Sequence, residues 1–441
     1  MKKPQRPPDW DHLIQQFDRN RLIELVSSGI GPAPGGQYRH WDTLRRIQPP
    51  PELTTEEWWL AVKMARRATR RTLPLNDKTG KPFHYTMPEM LLEMLPQIDR
   101  YAAGQILLPE PVTNPQTRDR YVINSLIEEA ITSSQLEGAI STREVARDMI
   151  RSGRTPINRS ERMILNNYLA MQHIGEVKAE PLTPALIIGL HRAITEGTLI
   201  PAENYLRKPD DGIGVYDNAN NELLHCPPHA LEIPARMAAM CRFANEGIDG
   251  AFLHPVLRAI ILHFWLAYDH PFVDGNGRTA RALFYWSMLS QGFWLFEYVS
   301  ISSILRKAPA RYGRSFLYTE TDENDLTYFV LSQLRVLCRA IDELKSYLGR
   351  KMEETRQTTT LLHQSIDLNH RQIALLGHAL RHPGMHYTYA SHRRSHKVTY
   401  QTARTDLLDL VERALLIHRK RGRAFAFEAP RDLRERLTTL R

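Results

Sequence analysis

HPFVDGNGRTAR, residues 270–281, follows an apolar run, VLRAIILHFWLAY (256–268), and leads into TARALFYWSMLSQG. The last stretch is apolar on nearly every helical face, because Ala282, Leu283, Phe284, Trp286, Met288 and Leu289 cannot share one stripe. A helix of that kind is buried at the centre of its domain. The dodecamer therefore joins two core helices, and its polar groups sit at a fixed place on a rigid scaffold. Glycines weaken regular structure and charges resist burial, so the cluster is costly for stability and calls for a chemical reason.

The chemistry that suits these residues is anion binding. Gly275 and Gly277 let successive backbone amides turn toward one point, where the following helix presents its positive end. Arg278 and Arg281 are three apart and share a face of the first turn, so two guanidinium forks join the amides, an arrangement suited to a polyphosphate. Asp274 would repel phosphate unless a cation lay between them, and Mg²⁺ on one carboxylate, phosphate oxygens and water meets that need. His270 lies four residues before Asp274 and suits a proton acceptor near neutral pH. A lone histidine before proline is usually a turn residue, and a lone GNG a tight turn. Together, on a buried helix pair, they have no structural explanation. The pattern is not a Walker A loop, since G-x-x-x-x-G-K-[ST] is absent.

The chain of 441 residues is long enough for two to four domains, and 42% hydrophobic with 24% charged residues is the balance of a soluble globular protein. Its formal charge of +9 is concentrated at the end: residues 381–441 hold 14 basic and 6 acidic side chains, so a polyanion partner is expected there. Three cysteines, Cys226, Cys241 and Cys338, lack metal-ligand spacing and predict a reducing, cytoplasmic compartment. The start, MKKPQRPPDWDHL, has no apolar core of a secretory signal, and the most apolar run is broken by two histidines and an arginine, so no membrane association is expected.

Apolar residues recur at helical spacing almost throughout, predicting a mainly α chain. Three regions are expected: a helical N-terminal region (1–115), a helical core (116–350) and a small C-terminal domain (365–441). In the first, TTEEWWLAVKMARRATRR reads as a helix with acidic residues at its start, and the arginines from Arg66 to Arg71 read as a solvated face. In the second, Pro184 falls in a first helical turn. There, GIGVYDNANNELLHCPPH reads as a hairpin whose second strand is kept short by Pro227 and Pro228.

HPFVDGNGRTAR matches at every specified position the H-P-F-x-[D/E]-G-N-G-R-x-x-R signature of Fic-domain proteins, and the resemblance extends over roughly residues 120 to 345. It implies a Fic helical core that transfers AMP from ATP to a protein hydroxyl. Within it His270 would be the base and Asp274 would hold Mg²⁺. Gly275, Asn276 and Gly277 would cradle phosphates, with Arg278, Thr279, Ala280 and Arg281 continuing the ATP site. Tyr312 aligns with an adenine-pocket tyrosine. The hairpin resembles the family's flap, with Leu223, Leu224 and His225 on the strand that docks a target by strand addition.

Upstream, SSQLEG carries Ser133, Glu137 and Gly138 in the pattern of the family's inhibitory motif, with Ser133 and Glu137 on one helix face. The resemblance implies that Glu137 pairs with Arg281. The C-terminal stretch reads as three helices and a hairpin and resembles a winged helix-turn-helix, with Thr399 capping the recognition helix and Tyr400, Gln401, Arg404 and Arg421 as DNA-contact candidates. The resulting expectation is an autoinhibited protein adenylyltransferase acting on Tyr, Thr or Ser hydroxyls of protein targets, itself among them. The alternatives are a DNA-binding regulator whose core senses nucleotide, and an enzyme that removes AMP. A homo-oligomer is compatible with the sequence.

Overall fold

The structure, a computed structural model, describes residues 2–103, 115–199, 206–217, 220–364, 368–381, 384–421 and 424–439. Helix accounts for 63% of it and the strands are short, so the chain is mainly α. It gathers into two compact units, Met1–Leu344 and Lys345–Arg441.

The first unit opens with α1 (Trp10–Gln15), α2 (Arg19–Ser27), α3 (Trp41–Leu44) and α4 (Thr55–Ala68). A capping box starts α4: Thr54 Oγ1 accepts from the Glu57 amide at 3.2 Å, and the Glu57 carboxylate accepts from the Thr54 amide at 2.7 Å. The N-terminal region is not helical throughout. After α4 the chain forms an antiparallel hairpin of β1 (Arg71–Asn76) and β2 (Pro82–Tyr85), because Leu73 and Leu75 alternate inward between exposed Thr72, Pro74 and Asn76. Arg66 also departs from the solvated face expected of it. It is buried, with Nη1 donating to Tyr328 Oη at 2.6 Å, Nε to Pro32 O at 2.9 Å and Nη2 to Arg39 O at 2.8 Å. Arg70 and Arg71 are exposed.

Next come α5 (Glu89–Ala102), α6 (Pro115–Leu136), α7 (Arg143–Ser152), α8 (Arg159–Val177) and α9 (Pro184–Thr195). The predicted hairpin is β3 (Val215–Tyr216) with β4 (Leu223–His225), antiparallel, followed by α10 (Ile233–Glu246). The two helices around the dodecamer are α11 (Pro255–Asp269) and α12 (Asn276–Ser290), and every residue of α12 from Arg278 to Met288 is buried. Behind them are α13 (Ile301–Lys307), α14 (Pro309–Thr321) and the long α15 (Thr327–Gln364). Leu73, Leu75, Phe83 and Tyr85 share one core with α11, α12 and α15, so the hairpin β1–β2 belongs to the same packed body as the signature helices.

The second unit contains α16 (His370–Arg381), β5 (His386–Tyr387), α17 (Tyr389–His396), α18 (Tyr400–Glu412), β6 (Ile417–Arg421), β7 (Ala424–Glu428) and α19 (Leu433–Thr439). Its sheet has the order β5-β7-β6, all antiparallel, with Phe427 fully buried against leucines of α16 and α18. Thr399 caps α18, accepting from the Thr402 amide at 3.1 Å, while Tyr400, Gln401 and Arg404 are exposed near its start. The side chain of Arg421 lies outside the described residues. Among the described residues no helix is long and apolar enough to cross a membrane.

Lys63 of α4 holds Asp322, beyond the end of α14, at 2.8 Å with both side chains buried. The cations Lys63 and Arg66, which outweigh the cost of its own burial, press the Asp322 carboxyl down to about 2. A carboxylate depressed in the fold stabilises it above the unfolded value and loses that contribution as the pH falls toward the folded one. Lys63→Met, which leaves Asp322 without its nearest cation, is expected to cost about 3–5 kcal/mol at neutral pH. The loss should shrink between about pH 4 and pH 2. All seven tryptophans lie in the first unit, so denaturant unfolding followed by tryptophan fluorescence reads this directly.

Candidate active site

Helix α11 ends where His270 takes the left-handed conformation, φ 47° and ψ 55°, an uncommon choice for a residue with a Cβ. Three contacts hold it there. Its amide donates to Leu266 O at 3.0 Å, its Nδ1 lies 3.2 Å from Ala267 O, and its carbonyl accepts from Arg207 Nε at 2.8 Å. Arg207 also donates to Asp269 O at 3.1 Å and to Pro228 O, tying the turn to the chain just beyond the hairpin. Desolvation pushes the His270 imidazole down to about 4, so at neutral pH it is uncharged. With Nδ1–H on the Ala267 carbonyl, Nε2 keeps its lone pair for a proton.

The turn between the helices is latched by Asn276, whose Oδ1 accepts from the Phe272 amide at 2.9 Å and whose Nδ2 donates to Phe272 O at 2.8 Å. Phe272 stacks on His191 at 3.7 Å, and His191 Nε2 lies 2.9 Å from Asp274 O. Gly275 has φ 84°, and a Cβ there would press into Thr195, so only glycine fits. No side chain caps α12, and Thr279 is the first residue whose amide finds a helical carbonyl, Gly275 O, at 3.0 Å. The amides of Asn276, Gly277 and Arg278 precede that bond, at the positive end of the helix.

Several expected ligands are placed differently. Thr279 and Ala280 are fully buried, and Thr279 Oγ1 donates to Gly275 O at 2.9 Å, so neither side chain faces the amide nest. The Asn276 side chain is likewise committed to the latch. Arg278 and Arg281 diverge rather than share partners. Arg278, with no exposed side chain, donates from Nη1 to Ile194 O at 3.2 Å, while its Nε and Nη2 have no hydrogen-bond acceptor. Burial lowers its pKa. Two buried donors without acceptors at the head of α12 are costly for stability, and an acceptor supplied from outside the chain would relieve them.

Arg281 turns to α6. Its Nε donates to Ser133 Oγ at 2.8 Å and its Nη2 to Ser133 O at 3.0 Å and to Glu137 Oε1 at 2.9 Å. The Glu137 carboxylate lies so close over Gly277 that any side chain there would collide with it. Helix α6 ends at this point, with Gly138 at φ 89°. Asp274 is 40% exposed, 3.4 Å from Arg159 and 3.8 Å from Arg278. It is an accessible hard oxygen donor beside the nest, as a Mg²⁺ shared with phosphates requires. Among the described residues no group of three or more His, Cys, Asp or Glu could hold a metal by itself.

Glu137, His225, Tyr268, His270, Arg281 and Tyr312 line a cleft of about 220 Å³. Tyr312 Oη lies 2.8 Å from His263 Nε2, whose imidazole burial pushes down to about 3. On β4, Leu223 is exposed and Leu224 faces the cleft, but His225 is turned inward, Nδ1 at 2.7 Å from Glu320 and Nε2 at 2.7 Å from Tyr268 O. His225 therefore anchors the hairpin and offers no docking surface. Arg207 and His191 were invisible in the sequence, since each acts on backbone carbonyls of a segment far along the chain.

The site thus brings together a neutral imidazole at a strained helix end, the uncapped head of α12 and two buried guanidiniums. Residues 181–288 match the Fic/DOC family. It is 27% identical over 214 residues to a protein adenylyltransferase Fic of Nematostella vectensis, a match covering 46% of this chain and 45% of that one. It is 32% identical over 133 residues to a protein adenylyltransferase Fic of Drosophila melanogaster, covering 30% of this chain and 25% of that one. The chain thus matches less than half the length of these relatives. A Fic family protein from Desulfovibrio desulfuricans has a similar fold, with a TM-score of 0.53 at 19% identity over 79% of this chain and 98% of that one.

The His270 Cε1 proton resonance is expected to titrate near pH 4. A midpoint near the ordinary histidine value of about 6.5 would mean an imidazole in open water instead.

Proposed function

We propose that this protein is an autoinhibited protein adenylyltransferase that transfers AMP from ATP to the hydroxyl of a Tyr, Thr or Ser side chain. The observation that carries this reading is the 2.9 Å pair between Glu137 and Arg281, set over the amides of α12 and beside the neutral His270. In the transfer, the target hydroxyl oxygen attacks the α-phosphorus, its proton passes to His270 Nε2, and the bond to pyrophosphate breaks. Positioning and charge neutralisation do most of the work in such a displacement. The amides of Asn276, Gly277 and Arg278 would bind the phosphate chain, and the unpartnered Nε–H and Nη2–H of Arg278 would find their acceptors on it. Asp274 and phosphate oxygens would hold Mg²⁺, which supplies further neutralisation of the phosphate charge. Tyr312, on the opposite side of the cleft, would border the base, and Leu223 and Leu224 would align the target strand.

Glu137 supplies the brake. Its carboxylate takes the Arg281 guanidinium that the outer phosphate would otherwise engage and occupies the space above Gly277. A charge-assisted contact of about 1.5–3 kcal/mol corresponds to roughly a ten- to hundredfold bias against the productive nucleotide pose. Glu137 is also 26% exposed in the cleft that holds His270, so a water poised by it for AMP removal is a second reading of the same carboxylate. The paired β6 and β7 after three helices support the assignment of 365–441 as a winged helix-turn-helix module, with Tyr400, Gln401 and Arg404 exposed for DNA. We assign 116–350 as the catalytic core because it holds α11, α12 and the Glu137–Arg281 pair.

The test is incubation of the wild type and Glu137→Gly with cell extract and ATP labelled on the α- or the γ-phosphate. Glu137→Gly should incorporate α-label at least about tenfold faster than wild type. His270→Ala in that background should abolish incorporation, since a general base contributes about 10²- to 10⁴-fold. Incorporation of γ-label, or equal α-label from both proteins, overturns the reading.

A further inference from the structure

A second, larger concavity opens in the first unit between residues 37–43, α13, α14 and α15, with a volume of about 660 Å³. Arg39, Arg311, Arg314, Arg335 and Arg339 line it, and no aspartate or glutamate does. Among the described residues none of Arg311, Arg314 and Arg335 has a carboxylate within ion-pair reach, and Arg335 has only the thioether of Met90 at 3.7 Å. Arg39 donates to Pro34 O, and Arg339 shares Glu343, outside the lining, with Lys307. Desolvation and the like charge of Arg311 together lower the pKa of Arg335.

Of the five guanidiniums only that of Arg339 has a carboxylate partner, so the set is short of counter-charge and self-repelling, and nothing in the packing requires it, since Arg311, Arg314, Arg335 and Arg339 are exposed. Every cation of the set is arginine, the side chain whose planar fork matches phosphate oxygens two at a time. The volume is that of a small-ligand site, about 300–1,000 Å³, and the arginines ring one concavity instead of tracking along a surface as an extended backbone would require. The motif arginines Arg278 and Arg281 are not part of it. Helix α14 separates the two clefts, with Gly313, Phe316 and Glu320 facing His270 and Arg311, Arg314 and Tyr318 facing the arginines; Tyr312 lines both.

We propose that this arginine-lined cleft is a second anion site that binds a compact polyphosphate, separate from the nucleotide site at the signature. The inference stands whether or not the signature site transfers AMP. The ligand is recognised by its run of adjacent phosphates, carried on a nucleoside or free.

The test is isothermal titration of the full chain with inorganic tripolyphosphate in one arm and ATP in another, on wild type, Arg311→Ala/Arg335→Ala and the charge-keeping Arg311→Lys/Arg335→Lys. Tripolyphosphate should bind wild type saturably at this cleft, whether or not the signature amides bind it as well. Its affinity should fall at least about tenfold in the alanine variant and less in the lysine variant, with melting curves unchanged because both residues are exposed. An ATP isotherm that loses one of two sites in the alanine variant assigns the ligand to nucleotides; one that keeps its shape assigns it to free polyphosphate. Absence of saturable tripolyphosphate binding, or equal affinity in wild type and the alanine variant, overturns the proposal. So does a glutamate-rich peptide or an oligonucleotide that outcompetes tripolyphosphate at these arginines.

Discussion

Arg281 is a full positive charge with 2% of its side chain in solvent. Uncompensated, such burial costs several kcal/mol, so the fold around it must supply acceptors. Two come from Ser133 and one from Glu137, all on the last turn of α6 and its exit. This requirement fixes where α6 lies against α12, and further contacts keep the helix in register: the Glu129 carboxylate accepts from Ser300 Oγ at 2.8 Å and from the Ser302 amide at 3.0 Å. The partners of Arg281 differ in character. The Ser133 contacts are buried, whereas Glu137 sits in the cleft with its side chain 26% exposed.

The same economy governs the turn before α12. His270 is held in a left-handed conformation, a strain of order 1–3 kcal/mol that persists only because the surroundings over-determine it. Arg207 on the carbonyl, Ala267 O on the imidazole and the Asn276 latch on Phe272 provide that constraint. They leave Nε2 of His270, the amides at the head of α12 and two N–H groups of Arg278 without hydrogen-bond acceptors or donors from the described residues. Within the dodecamer the side chains of Asn276 and Thr279 are committed to holding the turn and the head of α12.

Much of this was legible in one dimension. The glycines and polar residues of 270–281 marked a turn between two buried helices, and the interval from Ser133 to Glu137 placed the two close together, although α6 ends at Leu136 and Glu137 lies just beyond it. Capping of α18 by Thr399 and the short hairpin ended by Pro227 and Pro228 followed from local rules. Where local rules misled, a long-range contact had intervened. Arg66 continued a solvated pattern until Tyr328, Pro32 and Arg39 enclosed it, and Thr279 and Ala280 fell inside the motif yet faced the core once α12 was buried on every side.

The sequence by itself determined the helical class, the glycine-bearing turn between two buried helices and the helix that leads to Glu137, because propensity, periodicity and glycine chemistry act within a few positions. Only the tertiary structure decided that Glu137 meets Arg281 across 144 residues, that Arg207 and His191 brace the turn, and that five arginines from three segments surround one concavity. Those contacts depend on how helices pack, and packing is set by the summed shape and burial of side chains scattered along the whole unit, which no short window contains.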